Sequence, residues 1–229
     1  MSNSVRGEGA VSEENNGEAL HKRDFWSQEN LKYSRPHYRL EKAARLINRL
    51  ARDRSCTLLD VGCGPAALMP LLQSNIQYHG IDIAIQTPAP NLIEADFLEV
   101  PIRFADKHFD IVLAQGVFEY VGKFQEQKFA EIAALLNDGG TFIASYVNFG
   151  HRERYVYEPY SNVQSLADFR QSLARHFVIQ KSFPTSYNWG HSEPSRKLLK
   201  AANMNINVNI PFIGRALAVE YFFICSARH

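Results

Sequence analysis

The feature that most limits how this chain can fold is a regular alternation of short apolar segments with segments of helical periodicity, which begins near residue 57. Each apolar segment has the length of a buried strand, and the segments between them carry apolar residues at helical spacing. Strands that alternate with helices require right-handed crossovers, so we expect an α/β fold with a mainly parallel sheet and helices on both faces. The predicted strands are 57–61, 78–83, 92–94, 109–115 and 141–147, and the predicted helices between them are 66–73 and 125–136.

The segments on either side of this alternation complete the predicted domain. Residues 1–24 are rich in Ser, Asn, Gly and Glu without periodicity, which is typical of a disordered tail. Residues 25–54 include an amphipathic helix over 39–52, and we interpret them as a helical cover on a single domain that spans 25–229. A turn is predicted at 137–140. Further helices are predicted at 166–176 and 194–202, and further strands at 177–183 and 219–226.

Composition and charge narrow the class of ligand. The 229 residues are 45% hydrophobic and carry a net charge of +1, which provides no bulk attraction to nucleic acid or to an acidic membrane. The most apolar late stretch, 206–224, is interrupted by polar and charged residues, so no membrane span is expected. Three cysteines without a CxxC pair or zinc spacing indicate a reducing cytoplasm and no metal site. A small-molecule ligand fits these properties best.

A glycine turn follows the first predicted strand and is the first candidate binding element. Asp60, Gly62 and Gly64 stand where an open parallel sheet places its ligand crevice, and glycines there let a ligand approach the backbone closely. Asp82 ends the next strand, about 20 residues after the first glycine, where an acid commonly accepts hydrogen bonds from the hydroxyls of a ribose. The pattern therefore predicts a nucleoside-containing ligand.

Two cofactors contain such a nucleoside, because the spacing Gly62-x-Gly64-x-x-Ala67 also fits a dinucleotide site. The carboxylate of Asp60 would repel a pyrophosphate, whereas S-adenosylmethionine carries a sulfonium, an ammonium and a single carboxylate. Asp96 and Phe97 follow the third strand, where a carboxylate can accept from the adenine amino group and an aromatic ring can cover the base. These residues favour the methyl donor.

Four segments together resemble the class I S-adenosylmethionine-dependent methyltransferases over roughly residues 57–147. The resemblance implies a Rossmann-like, seven-stranded sheet of order 3-2-1-4-5-7-6 whose last strand is antiparallel. One residue departs from the family pattern, because Ala66 stands where many members have glycine. The segments are 58–68, 80–83, 94–121 and 135–146. The cofactor contacts that the resemblance implies are Asp60, Gly62, Gly64, Asp82, Asp96, Phe97 and Gln115.

Candidate catalytic residues follow from where strands end. An alcohol or phenol acceptor benefits from a base that removes its proton, and His151 follows the fifth strand with a side chain that is partly neutral near pH 7. Glu119 follows the fourth strand, and its alternative interpretation is an acid that binds backbone donors. His37, on the predicted cover, is the reserve candidate. Residues predicted to contact the acceptor are Tyr120, Tyr160, Tyr187 and Trp189.

These observations predict a methyltransferase that acts on an oxygen or nitrogen of a small molecule. Three alternatives stay open: a nucleic-acid methyltransferase, an NAD-dependent oxidoreductase, and a non-catalytic cofactor-binding protein on the same fold. The low net charge and the absence of an Asn/Asp-Pro-Pro-aromatic stretch after the fourth strand disfavour the first. The Asp60 carboxylate disfavours the second.

Overall fold

A computed structural model describes residues 23–31, 38–104, 107–149, 162–187 and 218–228. Helices and strands alternate as the sequence pattern predicts. The helices are α1 (Arg23–Leu31), α2 (Tyr38–Ala51), α3 (Val100–Arg103), α4 (Gln125–Leu135) and α5 (Leu166–His176). The strands are β1 (Cys56–Val61), β2 (Ile76–Asp82), β3 (Leu92–Glu94), β4 (Phe109–Ala114), β5 (Leu136–Val147), β6 (Phe177–Tyr187) and β7 (Ala218–Ala227).

All seven strands form one sheet with the order β3-β2-β1-β4-β5-β7-β6, which confirms the predicted fold class. Strands β1 to β5 pair in parallel with one another, while β7 is antiparallel to both β5 and β6. The carboxyl ends of β1, β2 and β4 therefore lie at the same edge as the amino end of β7. In the register, Val147 at the end of β5 is opposite Glu220 near the start of β7.

The two faces of the sheet bury different kinds of side chain. Because successive strand residues point to opposite faces, Leu58 of β1 packs with Ala43 and Ile47 of α2, whereas Leu59 packs with residues of α4 and α5 on the other face. The α4/α5 face holds a set of buried rings, here called the aromatic cluster. Its members are Phe118, Phe129, Phe142, Tyr146, Phe169 and Phe177.

The helix predicted at 66–73 is wrong, because that stretch contains only a 3-10 helix at Met69–Leu71. Ala66 adopts a left-handed backbone with φ 53°, so the chain turns again immediately after the glycines instead of entering an α-helix. Pro70 also lacks the N–H that an α-helical hydrogen bond would need. Periodicity alone could not reveal either constraint.

The predicted turn at 137–140 lies inside the bounds of β5. Leu136 is opposite Phe109 and Thr141 is opposite Ile111, so four residues of β5 face a single residue of β4 and the register shifts there. Gly139, with φ 72°, allows this bend. Residues 1–22 of the predicted tail and the predicted helix at 194–202 lie outside the described residues. No helix among the described residues has the length and apolarity needed to cross a membrane.

Candidate functional site

A cavity of about 420 Å³ opens at the edge of the sheet where β1, β2 and β4 end. Helices α1 and α2 and the start of β7 also contribute side chains to its wall. Nine of the candidate residues from the sequence, which lie up to 60 positions apart, meet at this one cavity. They are Asp60, Gly62, Gly64, Asp82, Asp96, Phe97, Gln115, Glu119 and Tyr120.

The turn after β1 explains why glycine occupies its first position. Gly62 has φ 71°, a backbone conformation that costs other residues free energy. A Cβ atom at this position would also lie only 2.6 Å from Cγ2 of Val117. The turn is tied to β2 through the Gly62 N–H, which donates to the carbonyl of Ile81 at 2.8 Å. The backbone therefore forms a close wall of the cavity that only glycine allows.

Asp82 connects the ends of β1 and β2. Its Oδ2 accepts from the N–H of Gly64 at 2.8 Å, and its Oδ1 accepts from the N–H of Ala84 at 2.9 Å. The carboxyl group is buried at the cavity wall, and the two backbone donors fix its orientation. Asp82 thus presents an oriented carboxyl group to the cavity.

Asp60 is a buried carboxyl group beside Asp82. Burial raises its pKa to about 7, the hydroxyl of Tyr78 lowers it by donating at 2.8 Å, and repulsion from Asp82 raises it again. A pKa so close to neutrality means that a cation in the cavity would favour the ionised form. The group can therefore compensate positive charge on a ligand.

Asp96 and Phe97 form the wall below β3. Asp96 precedes the 3-10 helix Phe97–Glu99, and its Oδ1 accepts from the N–H of Leu98 at 2.9 Å. Phe97 is half-buried and meets Phe118 edge to face, with ring centroids 5.9 Å apart. The ring is thus supported by the aromatic cluster while it lines the cavity. A planar apolar ligand group can pack against such a surface.

Two polar side chains at the end of β4 have buried atoms without hydrogen-bond partners among the described residues. They are the Gln115 amide, at both its nitrogen and its oxygen, and Oε2 of Glu119. Unpaired buried polar groups cost free energy, and a ligand that pairs with them recovers it. Oε1 of Glu119 accepts from the N–H of Val147 at 2.9 Å. Burial and then repulsion from Glu220 raise the pKa of Glu119 to about 7.

The backbone-binding interpretation of Glu119 is therefore supported for one of its two oxygens. The donor belongs to the end of β5 and not to the start of a helix. This contact fixes the side chain of Glu119, which lines the cavity.

Sequence reasoning missed a charged group on the opposite wall. Glu220 of β7 accepts from Nη2 of Arg39 at 2.5 Å and from Oγ1 of Thr185 at 2.6 Å. Burial alone would raise the pKa of Glu220, but Arg39 and hydrogen bonds from Arg39, Ser145 and Thr185 hold the pKa below its usual value. The one available signal was an acidic residue inside the apolar stretch 219–225.

Trp26 of α1 was also missed. Its ring meets Tyr120 edge to face at 4.9 Å, and both rings line the cavity. Arg23 of the same helix forms an ion pair at 3.0 Å with Glu94 at the end of β3. The predicted cover thus contributes an aromatic side chain to the site, although Trp26 carries no local motif.

The remaining candidates lie outside the described residues. These are His151, His37, Tyr160 and Trp189. The backbone of Tyr187 ends β6, but its side chain is outside the described part of the chain. The roles assigned to these residues stay predictions.

Solved structures share this fold at low sequence identity. A TehB-like SAM-dependent methyltransferase from Corynebacterium glutamicum is 15% identical, has a TM-score of 0.57, and is aligned over 92% of this chain and 100% of its own. The N-methyltransferase NodS from Bradyrhizobium japonicum, solved with S-adenosyl-L-homocysteine, is 11% identical with a TM-score of 0.57 over 94% and 100%. The plantazolicin methyltransferase BamL, solved with a triazolic desmethylPZN analog and SAH, is 15% identical with a TM-score of 0.60 over 94% and 97%.

No curated protein matches the sequence significantly. The profile of a family described as a methyltransferase domain, however, matches residues 35–186, which is more than half of the chain. That range contains β1 to β5, α4 and α5, together with all nine cavity-lining candidates. The chain therefore belongs to this family of methyltransferase domains.

Proposed function

We propose that this protein transfers a methyl group from S-adenosylmethionine to an oxygen or nitrogen of a small-molecule acceptor. The observation that carries the proposal is the meeting of a glycine turn with three acids, Asp60, Asp82 and Asp96, at one cavity. Membership of a methyltransferase-domain family agrees with it. When bound, the donor supplies an electrophilic methyl group on its sulfonium.

The cavity residues fit the parts of such a donor. The Asp82 carboxylate suits the paired hydroxyls of a ribose, because its backbone bonds to Gly64 and Ala84 fix its orientation. Asp96 can accept from an adenine amino group while Phe97 covers the ring. Asp60 can compensate the positive charge of the donor's amino-acid end, and the Gln115 amide, which has no partner among the described residues, can bind polar atoms there.

A dinucleotide fits this cavity poorly. Among the described residues that line it, five are acidic and one, Arg39, is basic. A pyrophosphate carries two negative charges and would meet this acidic wall at short range, which is unfavourable in a partly desolvated site. A donor with two cationic groups and one carboxylate is instead attracted by an acidic wall.

Proton removal from the acceptor is assigned to His151 or Glu119. Support for Glu119 is its pKa of about 7, because a general base works best when its pKa lies near the working pH. Glu119 lines the cavity, and its buried Oε2 has no partner among the described residues. Support for His151 is its position four residues after β5 and the chemistry of the imidazole. His37 stays the reserve candidate.

Donor binding is tested by calorimetry with S-adenosylhomocysteine and NADH as separate ligands. We expect a dissociation constant in roughly the micromolar range for S-adenosylhomocysteine and no measurable heat for NADH. Comparable binding of NADH, with no heat from S-adenosylhomocysteine, would refute the proposed function and favour an oxidoreductase.

The acceptor class is tested with radiolabelled donor added separately to a small-metabolite extract and to total RNA. We expect label in the small-molecule fraction, since a net charge of +1 provides little attraction to a polyanion. Salt-sensitive labelling of RNA, with no label in the small-molecule fraction, would overturn the proposed acceptor class. Donor binding without label in either fraction would favour the non-catalytic alternative.

The base is then identified by single-turnover rates of His151→Ala, Glu119→Gln and His37→Ala across pH. Loss of the base should lower the rate by about 10² to 10⁴ with donor affinity retained. Glu119→Gln keeps an oxygen that can accept from the Val147 N–H, so it separates proton transfer from the structural contact. Rates within about three-fold of the parent for all three variants would indicate that orientation alone suffices.

A further inference from the structure

We infer that Lys128 of α4 is a positioning residue for the nucleobase of the donor, because it holds the turn 96–98 (Asp96, Phe97 and Leu98) in the shape that the base meets. The inference rests on the proposed function, in which Asp96 contacts the amino group of the adenine and Phe97 covers its ring. Lys128 itself does not line the cavity, so it would act on the base through that turn.

Lys128 is an unusual residue for its place in α4. Five residues of this helix are buried, and Lys128 is the one charged residue among them. A buried ammonium group costs free energy unless hydrogen bonds and an opposite charge compensate for the lost water. Methionine has a similar length and would avoid that cost, so the contacts of the ammonium group indicate which role the lysine has.

The ammonium group makes two polar contacts among the described residues. Nζ of Lys128 donates to the carbonyl of Leu98 at 3.0 Å, and it pairs with the carboxylate of Glu131. The pair with Glu131 lies within α4, between residues three positions apart, whereas the bond to Leu98 joins residues 30 positions apart. Lys128 therefore fastens the turn 96–98 to α4.

The turn 96–98 depends on such contacts for its shape. All three of its residues line the cavity. Both backbone groups of Leu98 are bound, since its N–H donates to Oδ1 of Asp96 at 2.9 Å and its carbonyl accepts from Lys128. The 3-10 helix that begins at Phe97 has three residues, and so short a helix gains little stability from its own hydrogen bonds. The bond from α4 thus helps to fix this part of the cavity wall.

Lys128 also contacts the aromatic ring of the turn. Its Nζ lies 5.5 Å from the centroid of the Phe97 ring, within the range of a cation–π interaction. The same ring meets Phe118 edge to face, and Phe118 stacks on Phe129, the residue of α4 that follows Lys128. Helix α4 therefore supports the Phe97 ring by two routes, one direct and one through the aromatic cluster.

The experiment compares S-adenosylhomocysteine with S-inosylhomocysteine, in which hypoxanthine replaces adenine and the amino group becomes a carbonyl oxygen. Calorimetry without acceptor gives the base preference, which is the ratio of the two dissociation constants. The parent should prefer S-adenosylhomocysteine by about 10- to 100-fold, since a carbonyl oxygen cannot donate to Asp96. Lys128→Met should lower this preference by at least about three-fold, because a turn released from α4 no longer holds Asp96 in one position.

Two further variants guard the interpretation. Lys123→Met is the matched control, because Nζ of Lys123 also lies 5.5 Å from a ring centroid, that of Phe124, and neither residue lines the cavity. It should keep the parent preference. Lys128→Met combined with Glu131→Gln removes the carboxylate charge that Lys128→Met leaves without the lysine. This double variant should show the lowered preference in a stably folded protein.

Three results would overturn the inference. The preference could fall by less than about three-fold in Lys128→Met, and an equal weakening of both ligands, which indicates a purely structural role, belongs to this case. Lys123→Met could lower the preference as much as Lys128→Met does. The parent could also bind both ligands with equal affinity, so that the turn would not recognise the amino group. Failure of the parent to bind either ligand would instead refute the proposed function itself.

Discussion

The aromatic cluster and the acidic cavity lie within the same domain but are built by opposite rules. In the cluster, Phe169 stacks on Tyr146 with centroids 4.0 Å apart, and Phe118 stacks on Phe129 at 4.5 Å. Each of these rings is buried and in contact with another ring. At the cavity, the carboxyl groups of Asp60 and Glu119 are buried, and their pKa values both rise to about 7. Burial stabilises the first region and destabilises the second.

The difference separates the source of stability from the source of function. Apolar rings that leave water stabilise the fold without needing exact partners. Buried carboxyl groups, and the Gln115 amide atoms that have no partner among the described residues, cost free energy until a complementary ligand binds. Substitutions in the cluster should therefore change the free energy of unfolding far more than the affinity for the donor. Substitutions at the cavity should change the donor affinity, and the size of that change should depend on pH.

The largest effect is expected in the cluster, for Phe169→Ala. The ring is buried, stacks on Tyr146 and lies 5.4 Å from Phe223 of β7, so its removal leaves a cavity between α5 and the sheet. The free energy of unfolding should fall by about 3–5 kcal/mol in urea denaturation. Val178→Ala, at an exposed position of β6, should change it by less than about 0.5 kcal/mol.

The affinity of folded Phe169→Ala for S-adenosylhomocysteine should match that of the parent. A ten-fold weaker affinity at a temperature where the variant stays folded would contradict the separation of the two regions.

A smaller loss is expected for Gly62→Ala at the turn after β1. The alanine must adopt φ near 71°, and its Cβ would lie 2.6 Å from Cγ2 of Val117. Backbone strain and steric overlap therefore add. We expect a loss of about 2–4 kcal/mol in the free energy of unfolding, together with weaker donor binding. Urea denaturation and calorimetry measure the two effects.

Gly139→Ala provides the matched control for backbone strain. Gly139 has nearly the same φ, 72°, but no atom of the described residues lies within 4 Å of the place where a Cβ atom would stand there. The loss should be about 1–2 kcal/mol, from strain alone, with donor affinity unchanged. Equal losses for the two variants would show that the contact with Val117 is not what requires glycine.

Asp82→Ala tests an oriented carboxylate in the cavity. The variant loses the acceptors of two backbone N–H groups and, on the proposed function, the partner of the ribose hydroxyls. Donor affinity should fall at least ten-fold, or about 1.5–3 kcal/mol, by calorimetry. An unchanged dissociation constant in a folded variant would place the ribose elsewhere.

The smallest effect is a gain in stability, expected for Asp60→Asn. Because burial raises the folded-state pKa of Asp60 from 3.8 to about 7, the folded protein holds this proton more tightly than the unfolded chain. The stabilisation that the protonated Asp60 contributes is complete below about pH 3.8 and is lost as the pH rises through about 7. At pH 8 the variant should therefore be more stable than the parent by about 1–2 kcal/mol, and the gain should shrink toward pH 4.

Donor affinity should change in the opposite sense. Asp60→Asn should bind the cationic donor more weakly at pH 8, and the parent should lose affinity as the pH falls below about 7 and Asp60 takes up its proton. Thermal unfolding and calorimetry across pH measure both trends. A variant that is less stable than the parent at pH 8 would show that the buried charge is not costly.

Local pattern was sufficient for the elements whose periodicity is strong. Helix α5 matches its predicted bounds, β1 and β4 differ by one residue at one end, and the alternation of strands and helices implied a parallel sheet. The acids Asp60, Asp82 and Asp96 were identifiable because each follows or ends a strand, and parallel strands end at one edge. Sheet order itself came from the resemblance of 57–147 to a family, since periodicity carries no information on which strands are neighbours.

Backbone conformation and long-range geometry determined the features that local pattern did not predict. The stretch 66–73 has helical spacing, but the left-handed Ala66 that follows the turn prevents a helix from starting there. Arg39 and Glu220 are 181 positions apart, and their pairing depends on β7 entering the sheet antiparallel beside β5, which brings Glu220 opposite Val147. The raised pKa of Glu119 has the same origin, because burial and the proximity of Glu220 exist only once the chain has folded. Residue type and spacing are local properties, whereas desolvation and the charges that surround a group are set by chain segments distant in sequence.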